Sequence, residues 1–130
     1  MVAARTARGR VLVVEDDRLA REALEAILEA RGFSVAAAGN GREALNYLQT
    51  HRPPDVILLD LMMPVMNGWE FRRHQKQNPA LAAIPVIVCS GVEDVPAEAA
   101  LVGAAGHLQK PIVPEELVET VSHFCATPSG

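Results

Sequence analysis

The chain alternates short apolar runs with longer segments in which apolar residues recur every three or four positions. The apolar runs predict five strands, at residues 11–14, 33–37, 56–59, 85–89 and 106–109. The run at 56–59 is continuously apolar, which is typical of a strand buried on both faces of a sheet. The run at 106–109 is the weakest of the five, because it is short and contains polar residues.

The segments between these runs have the spacing of amphipathic helices. Helices are expected at 17–31, from Asn40 or Gly41 to a stop at 51–54, at 69–77, at 95–102 and from Pro114 onward. In the first helix, Leu19, Leu24 and Leu28 share the predicted inner stripe. The fourth helix should be short or irregular, since it contains Pro96 and is followed by Gly103. Strands that alternate with helices predict a doubly wound α/β fold, a five-stranded parallel sheet with helices on both faces.

The chain has 130 residues, which suits one domain. We expect a flexible N-terminal tail over residues 1–9, a single domain over 10–125, and a C-terminal tail or the start of a linker over 126–130. The first residues include arginines but lack the apolar core of a signal peptide. The sequence shows no internal repeat and no sign of a second domain.

Composition narrows the class of protein. A net charge of −4 argues against direct contact with nucleic acid, which favours a basic face. No apolar stretch approaches the ~18 residues of a membrane span. Cys89 and Cys125 have neither CxxC nor metal-ligand spacing, so we expect reduced thiols in a cytoplasmic protein.

Candidate chemistry lies directly after the predicted strands. The first strand is followed by Glu15, Asp16 and Asp17, the third by Asp60, the fourth by Ser90 and the fifth by Lys110. Ligands of such sheets bind beyond the carboxyl ends of the strands, so these side chains should converge.

Carboxylates held close together repel one another and need a cation or a raised pKa. Oxygen ligands suit Mg²⁺, and the absence of histidine and cysteine from this set disfavours Zn²⁺. With a lysine and a hydroxyl added, the site suits a tetrahedral, multiply charged anion such as a phosphoryl group. Asp60 is then the candidate nucleophile, because aspartate forms acyl phosphates.

Several of these residues lie in motifs that resemble the receiver domain of bacterial two-component response regulators. The matching segments are Val-Leu-Val-Val-Glu-Asp-Asp at 11–17, Asp-Leu-Met-Met-Pro-Val-Met-Asn-Gly at 60–68, Ser-Gly at 90–91 and Lys-Pro at 110–111. The resemblance extends over about residues 10–125. It implies the strand order 2-1-3-4-5 of chemotaxis-regulator-like, flavodoxin-like folds.

The resemblance also implies roles for the acidic residues. Asp60 would accept the phosphoryl group, and Asp16 would bind Mg²⁺ directly. Glu15 would assist, in part through water, and the main-chain carbonyl of Met62 would be a further ligand. For Asp17, a role at the start of the helix is favoured over a role as metal ligand.

For the remaining positions the resemblance implies contacts and switching. Ser90 and Lys110 would bind phosphoryl oxygens, and the Lys110–Pro111 peptide would be cis. Receivers often carry an aromatic switch residue at the position of His107, so His107 is a candidate switch or an ordinary surface histidine. Met62 and Val92 are apolar residues beside the path of an attacking water, which suggests slow self-dephosphorylation.

The implied function is a switch rather than an enzyme with a metabolic product. A histidine kinase or phosphotransfer protein would donate the phosphoryl group, the domain would assist its own phosphorylation and dephosphorylation, and a downstream protein or attached output domain would respond. We expect a monomer or weak dimer.

Two alternatives differ in class. A haloacid-dehalogenase-type phosphatase uses similar groups, but its nucleophile follows the first strand, whereas here an acidic pair does. A pseudo-receiver that never takes phosphate would usually lack one of the acids or the lysine, and here all are present.

Overall fold

The computed structural model describes residues 8–91 and 94–125. The strands are β1 (Arg10–Val14), β2 (Ser34–Ala38), β3 (Val56–Leu59), β4 (Val86–Ser90) and β5 (Gly106–Gln109). The helices are α1 (Arg18–Ala30), α2 (Gly41–Thr50), α3 (Gly68–Gln77), α4 (Val95–Leu101) and α5 (Pro114–Phe124). Residues 1–7 and 126–130 lie outside the described part, so the expected tails stay a prediction.

All four strand pairings are parallel, and the strand order is 2-1-3-4-5. This confirms the predicted fold class and the strand order that the resemblance implied. The register pairs Val14 with Leu59, the last residues of β1 and β3. The residues that follow these two strands therefore leave the sheet side by side.

Apolar side chains fill both faces of the sheet. One cluster lies beneath α1 and α5 and includes Leu28 and Leu117, both fully buried. A second lies beneath α2 and α3 and includes the buried Phe71. A smaller third cluster places Val95 of α4 against Leu61 and Val88. The central strands are covered on both faces, which explains why 56–59 carries no polar residue.

Helix α1 begins one residue later than predicted, because Asp17 is its N-cap and accepts a hydrogen bond from the Ala20 N–H at 3.3 Å. The prediction that Leu19 belongs to the buried stripe is wrong. Leu19 lies in the first turn of α1, and 76% of the residue is exposed. Burial begins only at Leu24, where the helix has reached the sheet.

The short fourth helix that the sequence predicted is present. Asp94 caps its N-terminus, Pro96 lies in its first turn, and Gly103 ends the segment with a φ of +67°. Val102, predicted as the last helical residue, is the C-cap. The seven residues of α4 are therefore held between a proline-containing start and a glycine stop.

Among the described residues, no helix combines the length and apolar character needed to cross a membrane. Cys89 and Cys125 are both buried free thiols. Cys89 lies within β4, in the apolar cluster beneath α1 and α5.

Candidate acidic site

Two carboxylates are brought together by the register of β1 and β3. Glu15 follows β1, and its N–H donates to the carbonyl of Ala38 at 3.0 Å. Asp60 follows β3, and its N–H donates to the carbonyl of Val14 at 3.0 Å. Both residues are buried, at 2% and 5% exposure, whereas the neighbouring Asp16 is exposed. The backbone therefore extends the sheet by one residue at this point and fixes where the two side chains start.

One carboxylate oxygen from each of Glu15, Asp16 and Asp60 lies within 4.8 Å of the other two. A set of three carboxylates, two of them buried, matches the oxygen-only donors that Mg²⁺ accepts, with water completing its coordination. The side chains that the sequence proposed as metal ligands are thus close enough to share one cation. We name Glu15, Asp16, Asp60 and Lys110 the acidic site.

Lys110 enters this group from the end of β5. Its Nζ lies 2.6 Å from Glu15 Oε1 and 3.5 Å from Asp60 Oδ2. Its N–H donates to the carbonyl of Ser90 at 2.9 Å, which ties the end of β5 to the end of β4. The following peptide to Pro111 is cis, as the resemblance implied.

The surroundings of Asp60 disfavour the ionised form of its carboxyl group. Burial, reinforced by the negative charge of Glu15, raises the pKa of Asp60 from 3.8 to about 6, while Lys110 and the Met62 N–H act in the opposite direction. Burial acts to lower the pKa of Lys110, but its hydrogen bond to Glu15 and the charge of Asp60 leave that pKa raised. A cation at this position would relieve the repulsion between Asp60 and Glu15.

The loop after Asp60 passes very close to the backbone of the acidic site. A Cβ at Gly68 would lie 2.6 Å from the carbonyl oxygen of Asp60 and 2.7 Å from the Cα of Leu61. The Gly68 N–H donates to the Leu61 carbonyl at 2.9 Å, and the Met62 N–H donates to Asp60 Oδ1 at 3.2 Å. Only glycine allows this loop to fold back so tightly.

The loop then leads directly into α3 through a capping box. The side chain of Asn67 accepts from the Glu70 N–H, and the side chain of Glu70 accepts from the Asn67 N–H. The start of α3 is thereby fixed relative to Asp60.

Ser90 is fully buried as the last residue of β4, one strand away from Asp60. Val92, predicted to border the path of water, lies outside the described residues. His107 lies within β5, opposite Val88, with an exposed side chain that lines a shallow groove with His123 and Phe124. Its role as a switch stays a prediction.

Sequence reasoning missed Arg21. Its guanidinium reaches back from α1 and donates to the carbonyl of Glu15 at 2.9 Å and, more weakly, to that of Asp16 at 3.4 Å. The Asp17 N–H also donates to Glu15 Oε2 at 3.1 Å. One feature of the sequence could have predicted these contacts. Arg21 lies in the helix that follows the acidic pair directly, so its side chain can turn back over the loop between strand and helix.

The family model of the response regulator receiver domain matches residues 11–122. Among curated relatives, the response regulator MprA of Mycolicibacterium vanbaalenii is 39% identical over 111 residues, covering 84% of this chain and 47% of the relative. The alkaline phosphatase synthesis transcriptional regulatory protein SphR of Synechococcus elongatus is 34% identical over 117 residues, covering 84% and 46%. The chain thus spans about half the length of these relatives.

Solved structures agree in fold. A response regulator from Chloroflexus aurantiacus superposes with a TM-score of 0.83 at 30% identity, covering 92% of this chain and 98% of that one. The chemotaxis response regulator CheY4 of Vibrio cholerae gives 0.80 at 34% identity, covering 88% and 97%. With its acidic site, its matched motifs and its fold, this chain belongs to the response regulator receiver family and is a receiver domain of two-component signalling.

Proposed function

We propose that Asp60 accepts a phosphoryl group from a histidine kinase or a phosphotransfer protein, in a reaction that requires Mg²⁺. The observation that supports this most directly is the convergence of three carboxylates within 4.8 Å, beside a lysine whose Nζ lies 3.5 Å from Asp60. Asp60 is buried, is paired with the ammonium group of Lys110, and lies at the carboxyl edge of the sheet, where ligands of such folds bind.

In the transfer, a carboxylate oxygen of Asp60 attacks the phosphorus atom in line with the leaving nitrogen of the donor's phosphohistidine. The new P–O bond forms as the P–N bond breaks, and the imidazole nitrogen keeps the electron pair. The ammonium of Lys110 lies next to both Glu15 and Asp60, so it can pair with a phosphoryl oxygen without leaving the site. Positioning and charge stabilisation are the main contributions of the protein.

Glu15, Asp16, Asp60 and the carbonyl of Met62 would hold the metal ion. When bound, Mg²⁺ supplies positive charge that offsets both the carboxylates and the incoming phosphoryl oxygens. Buried Ser90 would contribute a hydroxyl to the phosphoryl group from the neighbouring strand end.

The same groups would assist hydrolysis of the acyl phosphate, so the domain would control how long its own signal lasts. Met62 is apolar and 61% exposed beside Asp60, where it can shield the phosphoryl group from water. We therefore propose slow self-dephosphorylation. A half-life of only seconds would contradict this part of the proposal.

Signal output would follow from the added charge of roughly −1.5 to −2 at Asp60. Contacts from Ser90 and Lys110 would draw the ends of β4 and β5 toward the phosphoryl group, and His107 on β5 would respond. The recipient would be a downstream protein or an attached output domain, and the domain would act as a monomer or weak dimer without contacting nucleic acid itself. The two free thiols support a cytoplasmic location.

The test is intact mass after incubation with acetyl phosphate and Mg²⁺. The wild-type chain should gain one phosphoryl mass, and the gain should be lost with EDTA and in Asp60→Asn. Binding of Mg²⁺ without any gain would favour a pseudo-receiver, and a gain that survives in Asp60→Asn would identify a different acceptor.

A further inference from the structure

Helices α3 and α4 enclose a surface groove that lies outside the acidic site. It has a volume of about 260 Å³ and is lined by Trp69, Arg72, Arg73, Lys76, Leu101 and Val102. We name it the α3–α4 groove. Three of its six lining residues carry positive charge, although the whole chain carries a net charge of −4.

In the described part of the chain, the positive charges of the groove have no carboxylate partner. Within residues 8–91 and 94–125, none of the ion pairs involves Arg72, Arg73 or Lys76. Arg72 donates from Nε to the Val102 carbonyl at 2.8 Å, from Nη2 to the Gly103 carbonyl at 2.9 Å, and from Nη1 to the side-chain oxygen of Gln75 at 2.8 Å, all neutral acceptors. Arg73 and Lys76 are exposed. The groove therefore has charge available for an anionic partner.

The other three lining residues of the groove are apolar: Trp69 on α3, and Leu101 and Val102 at the end of α4. Leu101 is 74% exposed at the end of α4, and Trp69 is half-buried at the start of α3. The Trp69 indole N–H donates to Glu98 Oε1 at 3.0 Å, so the ring is fixed in place and bridges the two helices. Tryptophan and arginine are enriched among the residues that carry most of the binding energy at protein interfaces, and the exposed Leu101 adds apolar surface beside them.

We propose that the α3–α4 groove binds an acidic amphipathic helix of a partner protein. Arg73 and Lys76 are three residues apart on α3 and Arg72 and Lys76 four apart, so the cations form a row along one side of the helix. A partner helix with carboxylates at i and i+4 would meet this row, while its apolar side chains would cover Leu101 and Trp69. Residues 1–7 and 126–130 contain no Asp or Glu, so these two segments do not have the carboxylates that the groove would bind.

This site is separate from phosphoryl acceptance, since none of its lining residues belongs to the acidic site. The lining combines cations with apolar side chains, which favours a protein partner over nucleic acid. A nucleic-acid surface would be expected to extend a basic stripe over a wider face, whereas here the cations border an exposed leucine.

The probe is a designed helical peptide of about 16 residues, long enough to be partly helical in water. It carries Glu at i and i+4 beside a stripe of Leu, and it contains no aromatic residue. Trp69 is the only tryptophan of the chain, so its emission reports occupation of the groove directly. We expect a saturable blue shift as the indole loses water.

The main variant combines Arg73→Glu with Lys76→Glu, and the matched control combines Arg31→Glu with Arg42→Glu, which are exposed cations outside the groove. The groove variant should bind at least about tenfold more weakly, and the control should bind as the wild type does. Leu101→Ser should also weaken binding while leaving every charge in place. Circular dichroism establishes that each variant is folded before titration.

Four results would overturn the proposal: no saturable shift, an equal affinity in the groove variant and its control, equal binding of a peptide with Leu replaced by Ser, or self-association of the chain that the groove variant abolishes. The last would make a second copy the occupant. Asp60→Asn should bind the peptide with wild-type affinity, so the outcome here is independent of phosphoryl uptake.

Discussion

The acidic site gathers three carboxylates around one lysine, and the α3–α4 groove gathers three cations, but the two groups of charges lie in opposite surroundings. In the acidic site, Glu15 and Asp60 are buried and share one lysine. In the groove, Arg73 and Lys76 are exposed, and Arg72 is bound to carbonyls rather than to acids.

The difference indicates two kinds of function. Like charges that are buried together raise the free energy of the ionised state, and a metal ion or a reacting group can relieve it. Like charges at an exposed surface raise the free energy of the folded protein only slightly when no partner is bound, and they attract a partner of opposite charge. The buried charges of the acidic site therefore suit a chemical reaction, and the exposed charges of the groove suit binding of a partner.

The largest expected difference between the two regions is in the rate of phosphoryl uptake when one lysine in each region is replaced. Lys110→Met removes the cation beside Asp60, and we expect phosphoryl uptake from acetyl phosphate to slow by about 100-fold, the loss typical of one stabilising donor. Lys76→Met in the groove should leave the rate unchanged. The rates come from intact mass against time, and equal rates in the two variants would contradict a role for Lys110.

Gly68→Ala tests how tightly the loop packs against the acidic site. The added methyl would meet the Asp60 carbonyl at 2.6 Å, and we expect a loss of about 2–3 kcal/mol in the free energy of unfolding in urea. Gly91→Ala is the control, since among the described residues its Cβ would meet only Lys110 Cβ, at the ordinary contact distance of 3.9 Å. An unchanged stability in Gly68→Ala would show that the loop adjusts freely.

Asp60→Asn should stabilise the fold in EDTA at pH 8. The pKa of Asp60 is raised from 3.8 to about 6, so the folded state holds the proton more tightly than the unfolded state. Stability from this group therefore falls as pH rises from about 4 to 6 and stays low above, and removing the charge should recover about 1–2 kcal/mol. Below pH 4 that gain should vanish.

Urea unfolding at both pH values measures this effect, with the exposed Asp16→Asn as comparison, expected within about 0.5 kcal/mol of wild type. A destabilised Asp60→Asn at pH 8 would mean that the ion pair with Lys110 outweighs burial.

The smallest expected difference is in the free energy of unfolding, between variants of the neighbouring Arg72 and Arg73. Arg72→Gln loses hydrogen bonds to the carbonyls of Val102 and Gly103 and to the side-chain oxygen of Gln75, and it should cost about 1 kcal/mol of unfolding free energy. Arg73→Gln, which is exposed, should change it by less than about 0.5 kcal/mol. Similar losses in both would indicate that Arg73 also supports α4 and is not free for a partner.

The fold and the set of residues at the acidic site could be predicted from the sequence for the same reason. Strands buried on both faces produce continuous apolar runs, so the residue at which each run stops is visible. Glu15 and Asp60 follow such stops, whereas Lys110 follows the weaker, partly polar run of β5, and parallel pairing carries all three to one edge. Local periodicity failed at Leu19, because it cannot reveal that the first turn of α1 begins before the helix reaches the sheet.

The α3–α4 groove could not be predicted from spacing. It depends on contacts between residues far apart in sequence, such as Trp69 with Glu98 and Arg72 with Val102. The polar character of α3 showed only that its apolar stripe was thin. Arg21 was missed for a related reason, since its bond to the Glu15 carbonyl depends on the angle at which α1 leaves β1.

The most direct test of the acidic site is to locate the modified residue. After incubation with acetyl phosphate and Mg²⁺, borohydride reduces an acyl phosphate to the alcohol, so a phosphorylated aspartate becomes homoserine and can be read by peptide sequencing in a mass spectrometer. We predict homoserine at position 60, and none when EDTA is present. Homoserine at position 16 or 17 instead, or no homoserine in protein that has gained phosphoryl mass, would contradict the assignment of Asp60 as the acceptor.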